Sequence, residues 1–299
     1  MASSAITADA AGTWRLGDLT VNRLGLGAMR LPAAAEPDAG GRTRAHAVLR
    51  RAVDLGVNHI DTAAFYFSPH RAANELINSA LAPYPDDLVL ATKVWPGRDP
   101  SGAWEWAEPA QIRGQVEENL RQLGRDHLDL VNLRLPPSRR RANGSLADHF
   151  GALADCRAAG LVRHLGVSNV GAGQLAEAQE IAPVVCVQNA YGIGADAEEQ
   201  ALLRACGEQG IAYVPFFAIA GDGREAGAGP AAAESEQVRA VARAHGATPA
   251  QVRLAWTLRQ GPHVLAIPGT GDPGHVAENV AAGAVRLTDA EVELLSPPA

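Results

Sequence analysis

Short apolar runs alternate with amphipathic helical stretches along this chain, and that alternation limits its fold more than any other feature. The runs cover residues 24–29, 57–60, 88–94, 128–135, 162–167, 184–188, 211–215 and 264–267. Most are nearly continuous in Val, Leu, Ile and Ala, as strands covered on both faces must be. Helical spacing fills the intervals, over 43–55, 72–81, 109–123, 146–159, 172–181, 197–209, 235–245 and 249–260, with closing helices at 274–282 and 289–295. Repeated strand-then-helix units predict an α/β fold, a (β/α)8 TIM barrel. Trp14 to Val21 reads as two short strands around Gly17-Asp18, an N-terminal β-hairpin over the bottom of the barrel. No composition break interrupts the pattern, so residues 1–299 are expected to form one domain, with residues 1–12 flexible.

Charge and cysteine usage narrow the function. The 33 acidic residues outnumber the 26 Lys and Arg, for a net charge of -7. That disfavours nucleic-acid or membrane-surface partners held by bulk positive charge. No apolar run is long enough to span a bilayer, and the first residues lack a basic region followed by an apolar core, so no secretory signal is expected. Cys156, Cys186 and Cys206 are odd in number, widely spaced and set in apolar segments. No Cys or His lies at metal-ligand spacing to them, so they read as core residues and no metal is expected. A cytoplasmic protein, monomeric or weakly self-associating and acting on a small molecule, fits this profile.

Polar residues gather where the apolar runs stop. Asp61 ends the run 57–60, and Tyr66 follows it in the next loop. Lys93, Arg134, Ser168, Asn169, Gln188, Phe216 and Thr270 stand at or just after the ends of later runs. A barrel closes those C-terminal ends into one ring, so these residues converge. A buried Lys needs a counter-charge, and Asp61 is the partner at hand. Lys93 beside a phenol favours the phenolate and draws the Tyr66 pKa from about 10 toward neutrality, which makes Tyr66 a candidate proton donor to a carbonyl oxygen. The alternative is a structural Asp61–Lys93 pair with Tyr66 a bystander. Gly25-x-Gly27 lacks the third glycine and the helix of a dinucleotide fingerprint.

With these residues in view, the chain resembles the aldo-keto reductase superfamily over essentially its whole length. The motifs are Gly56-Val57-Asn58-His59-Ile60-Asp61-Thr62-Ala63 with Tyr66, Asn74-Glu75, Thr92-Lys93-Val94, Gly166-Val167-Ser168-Asn169, Val187-Gln188-Asn189, and Ile267-Pro268-Gly269-Thr270 with Glu278-Asn279. The resemblance implies hydride transfer between NADPH, or NADH as the alternative, and an aldehyde or ketone. By the same resemblance Tyr66 is the general acid, tuned by Lys93 and Asp61. Ser168, Asn169 and Gln188 would hold the nicotinamide carboxamide, and Phe216 would stack on its ring. The Gly-rich stretch 221–229 would close over the pyrophosphate, while Thr270, His275, Glu278 and Asn279 would meet the adenosine end. The family often has Lys where this chain has Gly269, and Arg near where it has His275.

One departure stands in the catalytic ring. Most members have His where this chain has Arg134, and Arg is neither a neutral donor nor a proton carrier at any working pH. Its planar fork suits an anionic group on a substrate; the alternative is a pair with a neighbouring carboxylate. The runs 129–134, 185–189 and 212–217 resemble one bacterial branch that includes pyridoxal reductases, whose substrate carries a phenolate beside its aldehyde. Trp95, Trp104 and Trp106 are expected to wall the substrate pocket, and Arg139-Arg140-Arg141 to form a solvated turn. Two further readings are a cofactor-binding regulatory protein with little turnover and a non-redox isomerase or lyase on the same barrel.

Overall fold

The period-2 alternation of side chains along each apolar run decides what faces the middle of the fold. The computed structural model describes residues 5–34, 40–68, 70–99, 101–137, 144–216, 218–219 and 235–296. Seven strands form one parallel sheet: β1 (Leu26–Gly27), β2 (His59–Asp61), β3 (Val89–Val94), β4 (Leu128–Arg134), β5 (Val162–Ser168), β6 (Val184–Gln188) and β7 (Ala212–Tyr213). They neighbour one another in chain order. The segment 264–267 closes the ring by bridges rather than as a regular strand. Leu265 donates its N–H to the Tyr213 carbonyl at 2.9 Å, and Ala266 donates to Arg23 at 2.8 Å. The result is the expected eight-part barrel.

Inside it, Val89, Ala91, Leu130, Cys186, Ala212 and Leu265 form a core distinct from the larger one between strands and helices. The N-terminal hairpin, Thr13–Leu16 paired with Leu19–Asn22, inserts Leu16 and Val21 into that inner core from below. Helices begin at side-chain caps such as Asp196, Thr248 and Thr288, each reciprocated by Glu or Gln three residues on. Part of the segment expected to be flexible is instead packed. Ala8–Ala11 is a 3-10 helix, and buried Ala8 donates to the Leu55 carbonyl at 2.8 Å, because its methyl completes the core beside that helix end. Residues 96–98 and 104–106, expected as loop, pair as a short antiparallel hairpin. Among the described residues, no helix is long and apolar enough to cross a membrane.

His59 lies in the barrel interior, two positions below Asp61 on the same face of β2. It fits only because Gly25 faces it: a Cβ there would come within 2.2 Å of its Nε2. Burial lowers its pKa to about 4. The unfolded imidazole therefore takes up a proton below its ordinary value, while the folded one stays neutral until about 4. Stability is lost as pH falls through that interval. Urea melts should lose about 2 kcal/mol between pH 7 and 5 from this group. That share of the loss should vanish in His59→Met; an unchanged loss in the variant would remove His59 as the cause.

Candidate active site

Because Asp61, Lys93, Arg134 and Gln188 share the inward parity of their strands, each stands at or one residue before its strand's end and lines the mouth of the barrel. Asp61 connects two of them. Its Oδ1 accepts from Lys93 Nζ at 2.6 Å, and its Oδ2 accepts from Gln188 Nε2 at 2.7 Å. Lys93 also donates to the Thr62 carbonyl at 3.0 Å, and all three side chains are buried. Burial pulls the Lys93 ammonium down, but Asp61 and the Tyr66 phenol outweigh it and hold its pKa above the ordinary lysine value.

Tyr66 sits in the loop after β2, fixed at both backbone groups. Its N–H donates to Ala63, and its carbonyl accepts from Ala73 at the head of helix Ala73–Leu81. Lys93 Nζ lies 4.8 Å from the centroid of its ring. Here one expectation is corrected. Burial raises the pKa of the phenol and outweighs the downward pull of Lys93 and Arg134, so Tyr66 is not drawn toward neutrality. As a residue Tyr66 is only half-buried, so solvent in the open pocket softens that push. The hydroxyl stays protonated at neutral pH.

Arg134 Nη1 donates to Ser168 Oγ at 3.2 Å, and the guanidinium stacks over the Phe216 ring at 4.7 Å. Asn169 adopts a left-handed backbone (φ 60°) that carries the chain away from β5, and its Nδ2 donates to the Leu135 carbonyl. A cavity of about 130 Å³ opens among Asp61, Tyr66, Lys93, Arg134, Gln188 and Phe216. Four strand ends, one loop and the segment after β7 thus meet in one space. In it a proton donor stands beside two fixed cations, a constellation suited to placing a proton on an oxygen that gains negative charge.

The sequence profile of the Aldo/keto reductase family matches residues 23–296. The chain belongs to that family. It is 44% identical to pyridoxine 4-dehydrogenase of Escherichia coli over 93% of its own length and 94% of the relative's. It is 30% identical to the methylglyoxal reductase YeaE of the same bacterium, over 86% and 85% of the two chains. Its fold superposes with a TM-score of 0.76 on an aldo-keto reductase from Klebsiella pneumoniae solved in complex with NADPH, at 28% identity and covering 96% and 95% of the chains. An aldo/keto reductase is an oxidoreductase of the carbonyl–alcohol couple, and this chain is one.

The remaining expected residues divide. Ser168 stands behind Arg134 rather than in the cavity wall. Thr270, His275, Glu278 and Asn279 cluster at helix Pro273–Ala281, outside the cavity. There Thr270 Oγ1 lies 3.5 Å from His275 Nδ1, and Glu278 accepts from the Thr248 hydroxyl at 2.6 Å. The three tryptophans do not line the cavity. Trp95 is buried and stacked on His149 at 3.8 Å, while Trp104 reaches Tyr66 only through Phe65. A positive φ of 93° turns Trp95 toward His149, and the hairpin leaves Trp104 and Trp106 exposed. Met29, Arg30 and Ile219 line the cavity without having been anticipated. Only their place after strands β1 and β7 could have pointed to them. The stretches 221–229 and 139–141 lie outside the described residues.

The site also fits a nicotinamide. Gln188 Oε1 is buried beside the cavity and has no hydrogen-bond partner. An orphaned carbonyl oxygen there calls for a ligand that brings an N–H, as a carboxamide does.

Proposed function

We propose that this protein interconverts pyridoxal and pyridoxine with NADPH as cofactor and Tyr66 as general acid. The observation that carries the substrate is Arg134, a buried guanidinium facing the same cavity as the Tyr66 phenol and the Lys93 ammonium. A substrate whose reacting carbonyl sits beside a phenolate presents two oxygens, one for each kind of group. Likeness to the pyridoxine 4-dehydrogenase of E. coli supports the same choice.

The reduced nicotinamide supplies the hydride when bound. The chain's own residues manage the proton and the charge. Tyr66 O–H donates to the carbonyl oxygen as it becomes an alcohol oxygen. The phenolate left behind is stabilised by Lys93, which Asp61 holds in place, and by the field of Arg134. Gln188 is oriented by the second oxygen of Asp61, which leaves its own Oε1 without a partner in the protein and able to accept from a ligand N–H. Arg134, braced on Ser168 and Phe216, meets the substrate phenolate with a donor pair of fixed orientation. The intact group Asp61–Lys93–Tyr66 supports turnover over a cofactor-holding role without it.

The test is a rate comparison. Purified protein should consume NADPH with pyridoxal at a kcat/KM well above that for benzaldehyde. Efficient turnover of benzaldehyde with none of pyridoxal would contradict the proposal.

A further inference from the structure

The loop that carries Tyr66 is built as a small arm. Phe67–Ser68 pairs antiparallel with Arg71–Ala72, and the Ala73 N–H donates to the Tyr66 carbonyl at 2.8 Å. Tyr66 thus stands on the first rung of a hairpin, and its ring goes where the base of that hairpin sends it. At the base, Thr62 Oγ1 donates to Asn74 Oδ1 at 2.7 Å, joining two residues 12 positions apart. Thr62 also touches the other half of the site. Its N–H donates to the Ala91 carbonyl at 2.8 Å, and its carbonyl accepts from Lys93 Nζ at 3.0 Å. The backbone of Thr62 is therefore fixed to the Lys93 strand, and its hydroxyl to the far end of the Tyr66 loop.

The direction of that link is dictated from farther out. The alternation that sends Asp61 and Lys93 inward sends Thr62 and Thr92 outward, against helices Ala73–Leu81 and Ile112–Leu123. There Asn119 Nδ2 donates to the Gln115 carbonyl at 2.9 Å, a partner that only the amide nitrogen can meet. Asn119 Oδ1 is thereby turned to the strands, where it accepts from Thr92 Oγ1 at 2.6 Å and from Asn74 Nδ2 at 3.0 Å. Asn74 Nδ2 also donates to Gln122 Oε1 at 3.0 Å, so its oxygen is left for Thr62. Thr62, Asn74, Thr92 and Asn119 are all fully buried, where an acceptor that loses its donor is not rescued by solvent.

We propose that Asn74, oriented by Asn119, is a positioning residue for the reaction: through Thr62 it sets where the Tyr66 phenol stands relative to the Lys93 ammonium. The role rests on the reading above of Tyr66 as general acid. Asn74 touches neither reacting group, and it acts by closing the loop whose angle aims one of them. Without the link the arm is free to swing at its base, and a misplacement of about 1 Å in a reacting group costs on the order of 100-fold in rate.

A double-mutant cycle separates this role from a structural one. Single-turnover oxidation of NADPH is followed with the faster of pyridoxal and benzaldehyde, for the native chain, Thr62→Val, Tyr66→Phe and the two combined. Thr62→Val should lower the rate on the order of 10- to 100-fold. NADPH affinity, read by quenching of tryptophan fluorescence, should stay near the native value. In the Tyr66→Phe background the same change should have little further effect, because no phenol is left to misplace. Thr62→Ser keeps the hydroxyl and should recover most of the lost rate. Asn74→Ser breaks the link from the other side and takes the place of Thr62→Val if that chain does not fold. An undiminished rate in the folded variant, or an equal loss with and without the Tyr66 hydroxyl, would overturn the positioning role and leave Tyr66 as the acid. If Tyr66→Phe itself keeps the native rate, the reading of Tyr66 fails and the role of Asn74 falls with it.

Discussion

Tyr66→Phe is expected to lower kcat for aldehyde reduction by roughly 10²–10⁴-fold, the usual share of a positioned general acid. NADPH affinity should stay near the native value. The substitution removes one oxygen and keeps the ring that Phe65 packs edge-on at 5.0 Å, so the fold has no reason to change. The pH profile makes a second demand. With the phenol raised by burial, the rate of reduction should be flat through neutrality and fall only as pH rises through the phenol's pKa. Stopped-flow NADPH oxidation at saturating aldehyde reads both. A Phe variant within a few-fold of the native rate would mean that the proton comes from elsewhere.

Lys93→Met should damage activity and stability together. Activity falls because the Tyr66 phenolate loses the ammonium that stands 4.8 Å from its ring centre and stabilises its charge. Stability falls because Asp61 is left as an uncompensated carboxylate in the barrel, with Gln188 Nε2 as its side-chain partner. Breaking one half of a buried ion pair costs about 3–5 kcal/mol. The companion variant Asp61→Asn with Lys93→Met removes both charges, so it should recover part of the stability but none of the activity. Urea denaturation of the three proteins decides this. Equal stability of the single and double variants would show that the pair is screened by solvent and is not the buried element described here.

Much of this site could be read from the sequence, for a physical reason. Asp61, Lys93, Arg134 and Gln188 are polar residues that end apolar runs, and a barrel sends every such end to one rim. In the structure these strand ends are buried, with Lys93 2% exposed and Gln188 1%. Geometry that depends on packing across the barrel was harder to foresee. The direction of the Tyr66 shift turns on burial outweighing Lys93, which no spacing reveals. Trp95 follows the Lys93 strand as expected, but a positive φ of 93° swings it against His149 instead of into the pocket. Arg30 escaped notice because it lines the cavity where two glycines, Gly27 and Gly269, bring together chain segments that meet only when the barrel closes. The closing segment shows the same limit. Its apolar run is plain, yet its pairing with Leu24, just before β1, and with β7 amounts to isolated bridges.

Arg134, as proposed, reads an anionic group next to the reacting carbonyl. The most direct measurement compares kcat/KM of the native chain and Arg134→His on two aldehydes, pyridoxal and pyridine-4-carbaldehyde, which lacks the phenolate. Losing a charge-assisted hydrogen bond of about 1.5–3 kcal/mol should cost Arg134→His on the order of 10- to 100-fold on pyridoxal, and far less on the aldehyde without the phenolate. Equal losses on both would contradict that role and leave Arg134 as a brace for Ser168 and Phe216.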